Sequence, residues 1–576
     1  MCRRYFVQSF VIILLFFPVF RAYTQTDTLQ WNYLFPLDKM IVVSGSFGEL
    51  RTNHFHSGVD LSTRGKIGLP VHAVDSGYVA RVSVSPYGFG KALYIAHPSG
   101  YTSVYAHLSS YGKQIDSVVT ALQYQTESFS INHYFDPGEI PVNRGEVIAY
   151  TGNSGSSGGP HLHFEIRETQ QQRPIDPLLF LNPVKDDVRP HILGIKIYPL
   201  SGDARINGKP KSQYFPAVFY DGAFHLKHQP RISASGKIGI GIEVIDYYTG
   251  SWSKCGVHSI DLKVNKQAVY SYQIDGFFYD NTRYLNSHID YAEKIKTGRV
   301  IQKSFVDPFN FNDVYRTNDS RGEIDMKADS KNNFTYIVKD VSGNMSRLSF
   351  EIQGVEAKYP EKVGQRDSLI YVDASKPFSF EMKNHLVRFE PESFYRNFAG
   401  DIHVRESLIS LSGTVLSVFD KTIPVHKTFE IKIPIDTLSN TAGLCGAKIG
   451  TNLRVQYAGG VIEGTHFVIK TRECGEYLVF RDTIAPVLTL RNPPSGRNYT
   501  HQKKIVVNVN DNFSGINTYN ATIDGKWSLF EYEAKKDQLI GNLEKVPFLE
   551  KGKHQLVIEA VDGAGNRGKL EIIFSY

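Results

Sequence analysis

The stretch "GGPHLHFEIR", residues 158–167, decides how the chain is interpreted. Its apolar and polar residues alternate with a period of two, which predicts a β-strand with two different faces. One face carries Leu162, Phe164 and Ile166, and the other carries His161, His163 and Glu165. Two imidazoles therefore point the same way from one strand. An isolated HxH pair is more often part of a solvated polar face than a ligand pair, so the surrounding sequence has to decide.

Two other stretches supply residues of the same chemical kind. Upstream, "GSFGELRTNHFHSGVDLS" contains His56 and Asp60 in the spacing HxxxD, and "YTSVYAHL" ends a predicted strand at His107. Two neutral imidazoles and one carboxylate, with one position left for water, are the ligand set of a catalytic zinc site. Structural zinc sites are commonly closed by four cysteine or histidine ligands.

With these motifs in place, the sequence resembles the lysostaphin-type zinc metallopeptidases, a family of endopeptidases that cleave peptidoglycan. The resemblance covers residues 44–167 and holds several motifs in the family's order: "SFGELR", "HSGVD", "GLPVHAVDSGYV", "YAHL", "RGEVIAYTGNSG" and "GPHLHFEI". The chain departs from the family between Ser109 and Asn143, where a longer connection includes "QIDSVVTALQYQ". Apolar residues at helical spacing in that segment predict a short amphipathic helix, and the departure concerns substrate preference rather than the metal.

The resemblance implies that His56, Asp60 and His163 bind zinc and that His107 and His161 act in catalysis beside the metal. Zinc lowers the pKa of a bound water toward ~7 and polarises the scissile carbonyl. Imidazole, with a pKa of about 6.5, suits both the general base and the group that stabilises the oxyanion. The sequence leaves open which histidine takes which role.

Other polar residues of this region receive weaker interpretations. We expect His54 to be a non-ligand, and Glu165 either orients a ligand imidazole or is simply a solvated or structural residue. Three further histidines match no functional position of the family: His72, His97 and His133. The glycine- and serine-rich segment 152–160 lacks the Lys-Ser/Thr and helix start of a phosphate loop, and it predicts a place where backbone approaches an extended peptide.

The predicted fold class is mostly β: an antiparallel β catalytic domain of the lysostaphin-type peptidase fold, followed by β-sandwich modules. An internal repeat supports the modules, since "DDVRPHIL" (from Asp186), "IEVIDYYTG" and "YIVKDVSGN" match "DTIAPVLT" (from Asp482), "VNVNDNFSG" and "IEAVDGAGN". These copies resemble bacterial immunoglobulin-like modules. The predicted division is a signal peptide at 1–24, the peptidase domain at 41–183, a sandwich with an insertion at 186–355, a β-domain of uncertain type at 359–481 and a sandwich at 482–576.

Composition narrows the classes of function. The chain has 576 residues, 41% of them hydrophobic, and 64 basic residues face 58 acidic ones, which gives a net charge of +6 and no support for nucleic-acid binding. Arg3 and Arg4 precede the apolar run "FVIILLFFPVF", which is the layout of a secretory signal peptide, with an uncleaved anchor as the alternative. An oxidising compartment would permit a disulfide bond between Cys445 and Cys474.

We therefore predict an exported zinc metalloendopeptidase, located in the periplasm or cell envelope, that hydrolyses peptide cross-links in peptidoglycan. The alternatives are a catalytically silent platform that activates a separate wall hydrolase and an adhesion or scaffold protein. The repeated modules are expected to hold no His/Asp cluster of their own and to position the enzyme on the wall or on an envelope protein partner. On that view, a fragment ending near Pro183 should bind zinc and cleave soluble peptides.

Overall fold

A computed structural model describes residues 33–38, 42–181, 184–356, 369–436 and 438–576. The chain is mostly β, with 48% strand and 8% helix, which confirms the predicted fold class. The predicted signal peptide, residues 1–24, lies outside the described residues. Within the described ranges, none of the helices has the length and apolar character that crossing a membrane requires.

The N-terminal domain, described from Tyr33 to Leu181, contains twelve short strands and one α-helix in its described residues. The elements are β1 Val43–Gly45, β2 Val59–Ser62, β3 Pro70–His72, β4 Gly77–Val84, β5 Lys91–Ala96, β6 Tyr101–Ala106, β7 Ser110–Tyr111, α1 Lys113–Gln125, β8 Ile131–Tyr134, β9 Pro141–Val142, β10 Val147–Tyr150, β11 His161–Glu168 and β12 Pro174–Ile175. Helix α1 confirms the helix predicted in the longer connection, and it buries Ile115 and Val119 against the domain.

One antiparallel sheet positions the predicted site residues. Its strands run in the order β1-β2-β11-β6-β5-β4-β8, with β12 beside β11 and β9 beside β4, and a small sheet β3-β10-β7 packs nearby. Strand β11 lies between β2 and β6, so that His163 is opposite Asp60 on one side and Ala106 on the other. Because His107 directly follows Ala106, the sheet register alone brings three of the five predicted site residues together.

The first repeated module, residues 184–356, is built from twelve strands and two α-helices among its described residues. They are β13 His191–Pro199, β14 Arg205–Ile206, β15 Gln213–Tyr220, β16 Ala223–Leu226, β17 Ser233–Ile245, β18 Ser259–Val264, β19 Gln267–Gln273, α2 Leu285–His288, α3 Tyr291–Thr297, β20 Gln302–Lys303, β21 Tyr315–Thr317, β22 Ile324–Met326, β23 Lys331–Lys339 and β24 Met345–Gly354. The long strand β17 pairs with β13 along one half and with β14 and β24 at its start. The insertion predicted in this module forms the helices, beginning with a 3₁₀ helix at Tyr279–Tyr284.

The third region, residues 369–481, has a hydrophobic core of its own. Its strands are β25 Ile370–Val372, β26 Phe378–Met382, β27 His385–Phe389, β28 Phe398–Gly400, β29 Ile402–Glu406, β30 Thr414–Val418, β31 Pro424–Pro434, β32 Leu444–Ile449, β33 Val455–Gly459, β34 Val461–Glu463, β35 His466–Glu473 and β36 Gly475–Arg481. Two five-stranded sheets enclose buried residues such as Val387, Phe429 and Tyr477.

The last module, residues 482–576, consists of two four-stranded antiparallel sheets. Its strands are β37 Val487–Leu490, β38 Lys504–Asn510, β39 Ile516–Ile523, β40 Lys526–Trp527, β41 Phe530–Glu533, β42 Gln538–Asn542, β43 Lys553–Asp562 and β44 Arg567–Ser575. The sheets have the orders β37-β38-β42-β41 and β40-β39-β43-β44. Membership of the immunoglobulin-like class and the domain limits stay predictions.

The disulfide alternative is not found, because Cys445 and Cys474 are both buried free cysteines. Strand β32 places Cys445 opposite Phe480 on β36, while Cys474 lies just before the other end of that strand. At ~3.3 Å per residue the two cysteines are roughly 20 Å apart. A disulfide needs Cα atoms within about 7 Å of each other.

Candidate metal centre

His56, Asp60 and His163 meet in the interior between β2 and β11. Oδ1 of Asp60 lies 3.1 Å from Nε2 of His56 and 3.0 Å from Nδ1 of His163, and those two nitrogens are 3.0 Å apart. All three residues are buried, and the atoms that could hold an ion lie within 4.8 Å of one another. The three predicted metal ligands therefore form one cluster.

The hydrogen bonds around the cluster turn its lone pairs inward. His56 donates from Nδ1 to the carbonyl oxygen of Ser46 over 2.7 Å, and His163 donates from Nε2 to Oε1 of Glu165 over 2.9 Å. The inward nitrogens of both rings are then acceptors, and they face a carboxylate oxygen. Three acceptors this close together repel one another unless a cation lies between them. Two imidazoles and a carboxylate are a donor set that zinc accepts, so the residues fit this metal.

The titration of the two ligand histidines reflects the same crowding of acceptors. Burial lowers the pKa of His163, but hydrogen bonds to Asp60 and Glu165 raise it by more, to about 9. A proton on Nδ1 of His163 then lies where a metal ion would bind. Burial lowers the pKa of His56 to about 4, although Asp60 works against that shift. A neutral His56 is the form that binds a metal.

Arg51 divides the two oxygens of Asp60 between different partners. Its guanidinium donates to Oδ2 of Asp60, which leaves Oδ1 facing the histidines. Burial raises the pKa of Asp60, but the histidines, with His56 first among them, hold it well below its usual range. The carboxylate is therefore ionised and aimed at the cluster.

Glu165 is fully buried and orients His163 from behind. Oε1 accepts hydrogen bonds from His163 and Ser57, while Oε2 accepts from Arg167 over 2.6 Å and from the hydroxyl of Tyr279 over 3.1 Å. Burial raises the pKa of Glu165, yet Arg167 and then His163 lower it to about 2. The hydrogen bond to His163 supports the interpretation of Glu165 as the residue that orients this ring, a structural role is equally compatible with it, and complete burial rules out a solvated role.

His107 and His161 lie beside the cluster, with their ring centroids 4.8 Å apart. His107 donates from Nδ1 to the carbonyl oxygen of Ser154 over 2.9 Å, and His161 donates from Nδ1 to that of Gly159 over 2.8 Å. In both rings Nε2 is left as the nitrogen that can take up a proton. Nε2 of His161 is 3.3 Å from Oδ1 of Asp60 and has no hydrogen-bond partner of standard geometry. Burial lowers the pKa of His107 to about 3, and the neighbouring histidines add to that shift.

The remaining histidines of the domain do not contribute to the cluster. His54 is exposed and bonds to the backbone of Thr52, which agrees with its predicted role as a non-ligand. His97 is buried and bonds to the carbonyl of Ser76 and the hydroxyl of Ser103. The histidines His72, His97 and His133 therefore act as structural or surface residues.

Both repeated modules contact residues around the site, and the expected division into a catalytic head and a positioning tail stays a prediction. From the first module, Tyr279 reaches Glu165, and Phe277 packs on Phe55, the neighbour of His56, with ring centroids 5.6 Å apart. From the last module, Lys535 donates to the carbonyl oxygens of Asn153 and Ser157 in the predicted peptide-binding loop. The modules therefore contact residues that support the histidine cluster and the loop beside it.

Two residues of the site have no counterpart among the sequence predictions. Arg51 lies inside the quoted motif "SFGELR". Its position just before the HxxxD spacing is the sequence feature that could have indicated a contact with Asp60. Tyr279 is 114 positions from Glu165, in an insertion without a local motif, and nothing in the sequence around it indicates the contact. The sequence predictions also did not anticipate that each repeated module gathers three aspartates, without a histidine, into one cluster.

Comparison with known proteins defines the class of the N-terminal domain. Residues 54–124 and 131–177 match the model of peptidase family M23. The chain thus contains an M23 zinc metallopeptidase domain near its N-terminus, with an intact His–Asp–His set.

Three curated relatives show similarity over comparable lengths. The DD-carboxypeptidase/endopeptidase Mpg of Neisseria meningitidis is 31% identical over 137 residues, which is 24% of this chain and 25% of Mpg. The peptidoglycan DD-endopeptidase ShyB of Vibrio cholerae is 33% identical over 123 residues, 21% of this chain and 22% of ShyB. Lysostaphin of Staphylococcus staphylolyticus is 29% identical over 166 residues, 28% of each chain. The chain spans about a quarter of the length of these relatives.

Proposed function

We propose that the protein is an exported zinc metalloendopeptidase that hydrolyses peptide cross-links in peptidoglycan, at the periplasm or cell envelope. The observation that carries the proposal is the buried, inward-facing acceptor cluster of His56, Asp60 and His163 beside two further imidazoles. The substrate class is supported by the relatives, since one of them is named as a peptidoglycan DD-endopeptidase.

The chain's own groups divide the work around a scissile peptide. Zinc held by His56, Asp60 and His163 would acidify a water molecule and polarise a carbonyl group. Nε2 of His107 or His161 accepts the proton of the attacking water, and the same proton can then pass to the leaving amine. The other ring takes up a proton from solvent at Nε2 and then donates a hydrogen bond to the developing oxyanion. Glu165 and the carbonyl of Ser46 keep the ligand rings in the tautomers that this arrangement needs.

The loop of residues 152–160 supports an extended substrate. Gly158 and Gly159 border open space, where a side chain at either position would meet no neighbouring atom. Backbone at these glycines can approach a peptide closely, as glycine allows where a ligand comes near. The carbonyls of Asn153 and Ser157 already accept from Lys535, so the available edge of the loop is its glycine end.

The proposal is tested by incubating the purified, zinc-loaded chain with peptidoglycan and identifying the products by mass spectrometry. His56→Ala should abolish both zinc binding and hydrolysis, because two ligands hold the ion poorly. His54→Ala is the matched control, since His54 is an exposed histidine on the same segment and should change neither property.

Two outcomes would contradict the proposal. Zinc-loaded protein that releases no peptide products from peptidoglycan, while stimulating a separate wall hydrolase, would identify the chain as a regulatory platform. Unchanged cleavage by a zinc-free His56→Ala protein would show that the cluster is not the catalytic centre.

A further inference from the structure

The first repeated module gathers three aspartates at one end of its sheets. Asp186 precedes β13, Asp246 follows β17 directly, and Asp340 follows β23 directly. Each contributes one carboxylate oxygen to a group whose atoms lie within 4.8 Å of one another. The three side chains are 9%, 1% and 3% exposed, respectively. This cluster is separate from the histidine site, and no part of the proposed peptidase mechanism uses it.

Asp246 is the member whose environment needs an explanation. Its side chain is almost completely buried, and neither of its carboxylate oxygens accepts a hydrogen bond of standard geometry. A buried carboxylate without a partner is costly, and such groups are normally paired or bound to a metal.

The surrounding hydrogen bonds hold the other two carboxylates in place without satisfying Asp246. Asp186 accepts at Oδ1 from the backbone of Val188 and Thr249, while its Oδ2 has no partner of standard geometry. Asn344 donates to both oxygens of Asp340 and to the carbonyl of Asp186. Three unpaired oxygen atoms, one of Asp186 and two of Asp246, therefore remain in the cluster.

We propose that Asp186, Asp246 and Asp340 bind a divalent cation, and that the cation is calcium. The donor set is made of oxygen atoms alone, which favours a hard cation over zinc or copper. Calcium accepts carboxylates and waters at about 2.3–2.6 Å in flexible geometry, so its ligands lie up to roughly 5 Å apart. Oxygen atoms within 4.8 Å of one another are compatible with that spacing. Magnesium requires shorter, near-octahedral contacts and keeps its waters more firmly.

The last module contains a second aspartate cluster that can be compared with the first. Asp482, Asp511 and Asp562 form a cluster of the same kind at the corresponding positions of the repeat. There, however, Oδ2 of Asp511 accepts hydrogen bonds from the backbone of Phe513 and Gly515, over 2.9 and 2.7 Å. The residue that corresponds to Asp246 is thus partly satisfied by the chain itself. Only Oδ1 of Asp511 lacks a partner there, so the second cluster leaves one unpaired oxygen atom where the first leaves three.

The position of the first cluster gives the ion a structural consequence. Asp246 pairs with Cys255 through backbone hydrogen bonds, and the next residue, Gly256, donates to the hydroxyl of Ser46 over 2.9 Å. The carbonyl of Ser46 is the acceptor for His56. Calcium at the cluster would therefore fix the segment from Asp246 to Gly256. That segment contacts Ser46, whose carbonyl oxygen orients the proposed zinc ligand His56.

The test is calorimetric titration of the full chain with calcium chloride, after metal removal and reloading with one equivalent of zinc. Wild-type protein should show saturable calcium binding and a higher unfolding temperature with calcium. Asp246→Asn removes one ligand charge and should weaken the binding by at least about 100-fold, since the loss of an outer partner alone typically costs about 10–100-fold. Asp511→Asn, the matched change in the last module, should leave the binding within about threefold, since the first cluster is intact.

Each contrary result has a clear meaning. Absence of saturable calcium binding to the wild type, or equal binding by Asp246→Asn, would overturn the site. Tighter binding of magnesium chloride than of calcium chloride would overturn the choice of ion, and a loss confined to Asp511→Asn would place the ion in the other module. Asp246→Asn should fold, because it replaces a buried charge by a neutral group of the same shape. Asp340→Asn is a second variant that changes another proposed ligand. Circular dichroism spectra of both variants without calcium, compared with that of the wild type, would show whether they are folded.

Discussion

The hydroxyl of Tyr279 donates a hydrogen bond to Oε2 of Glu165 over 3.1 Å, although the two residues are 114 positions apart. Glu165 in turn accepts from Nε2 of His163. A residue of the first module therefore supports a proposed zinc ligand of the peptidase domain through a single intermediate side chain.

Tyr279→Phe should lower zinc affinity by up to about 10-fold, because Glu165 loses one hydrogen bond but keeps those from Arg167 and Ser57. Competition with a zinc-binding dye would measure the change. Tyr284→Phe is the control, since Tyr284 lies in the same 3₁₀ helix but stacks on His426 instead. Equal losses in both variants would show that the helix, and not the hydroxyl, matters.

Glu165→Gln should cost about 10–100-fold in zinc affinity or activity, as the loss of a carboxylate behind a ligand imidazole typically does. The change also leaves Arg167 without its buried partner. Glu168→Gln is the control on the same strand, where Glu168 forms only a partly exposed ion pair with Arg173. Zinc titration of the two variants separates orientation of His163 from a general effect on β11.

His107→Ala and His161→Ala should keep the zinc ion while turnover falls by ~10²–10⁴, the usual contribution of a positioned acid–base or oxyanion group. The measurement is zinc content by mass spectrometry alongside cleavage of a soluble peptide. Stoichiometric loss of zinc from His161→Ala would mean that the two histidines of the HxH pair exchange their roles.

Asp176→Asn should stabilise the protein at pH 8 more than at pH 5. Burial raises the pKa of Asp176 from 3.8 to about 7, so the folded state holds the proton more tightly than the unfolded state. Stability from this group is present below pH 4 and is lost as pH rises toward 7. We expect the difference between the two pH values to be about 1–3 kcal/mol.

The midpoint temperature of the first thermal unfolding transition, measured at pH 5 and at pH 8, reports this effect. Asn keeps the hydrogen bond that Asp176 accepts from Leu178, so the turn is retained. Asp275→Asn, an exposed neighbour, should change the pH dependence little. A pH-independent gain from Asp176→Asn would show that the carboxyl group is not the cause.

A fragment of residues 33–181 should bind zinc weakly and cleave soluble peptide poorly, contrary to the expectation from the sequence. It loses Tyr279, and it exposes Phe47 and Phe55, which pack on Phe277 of the first module. Adding the separate piece 184–576 should restore activity. A fragment as active as the full chain would show that the module contacts are dispensable.

The parts of the site that follow local rules were predictable. Alternation in β11 predicts that His161 and His163 share one face, and the short-strand pattern predicts a mostly β chain. The assignment of His163 and Asp60 as metal ligands came from the resemblance to the lysostaphin-type peptidases. The contact of Tyr279 with Glu165 depends on how two domains pack, which no periodicity records. The three aspartates of the first module were visible in the repeat, yet their convergence depends on where β13, β17 and β23 end in space.

Lys535 and Ser157 are separated by 378 positions. The loop beside the histidine cluster is therefore anchored by a residue far along the chain from all five site residues. A chain truncated before Lys535 would keep those five residues and lose this anchor of the loop.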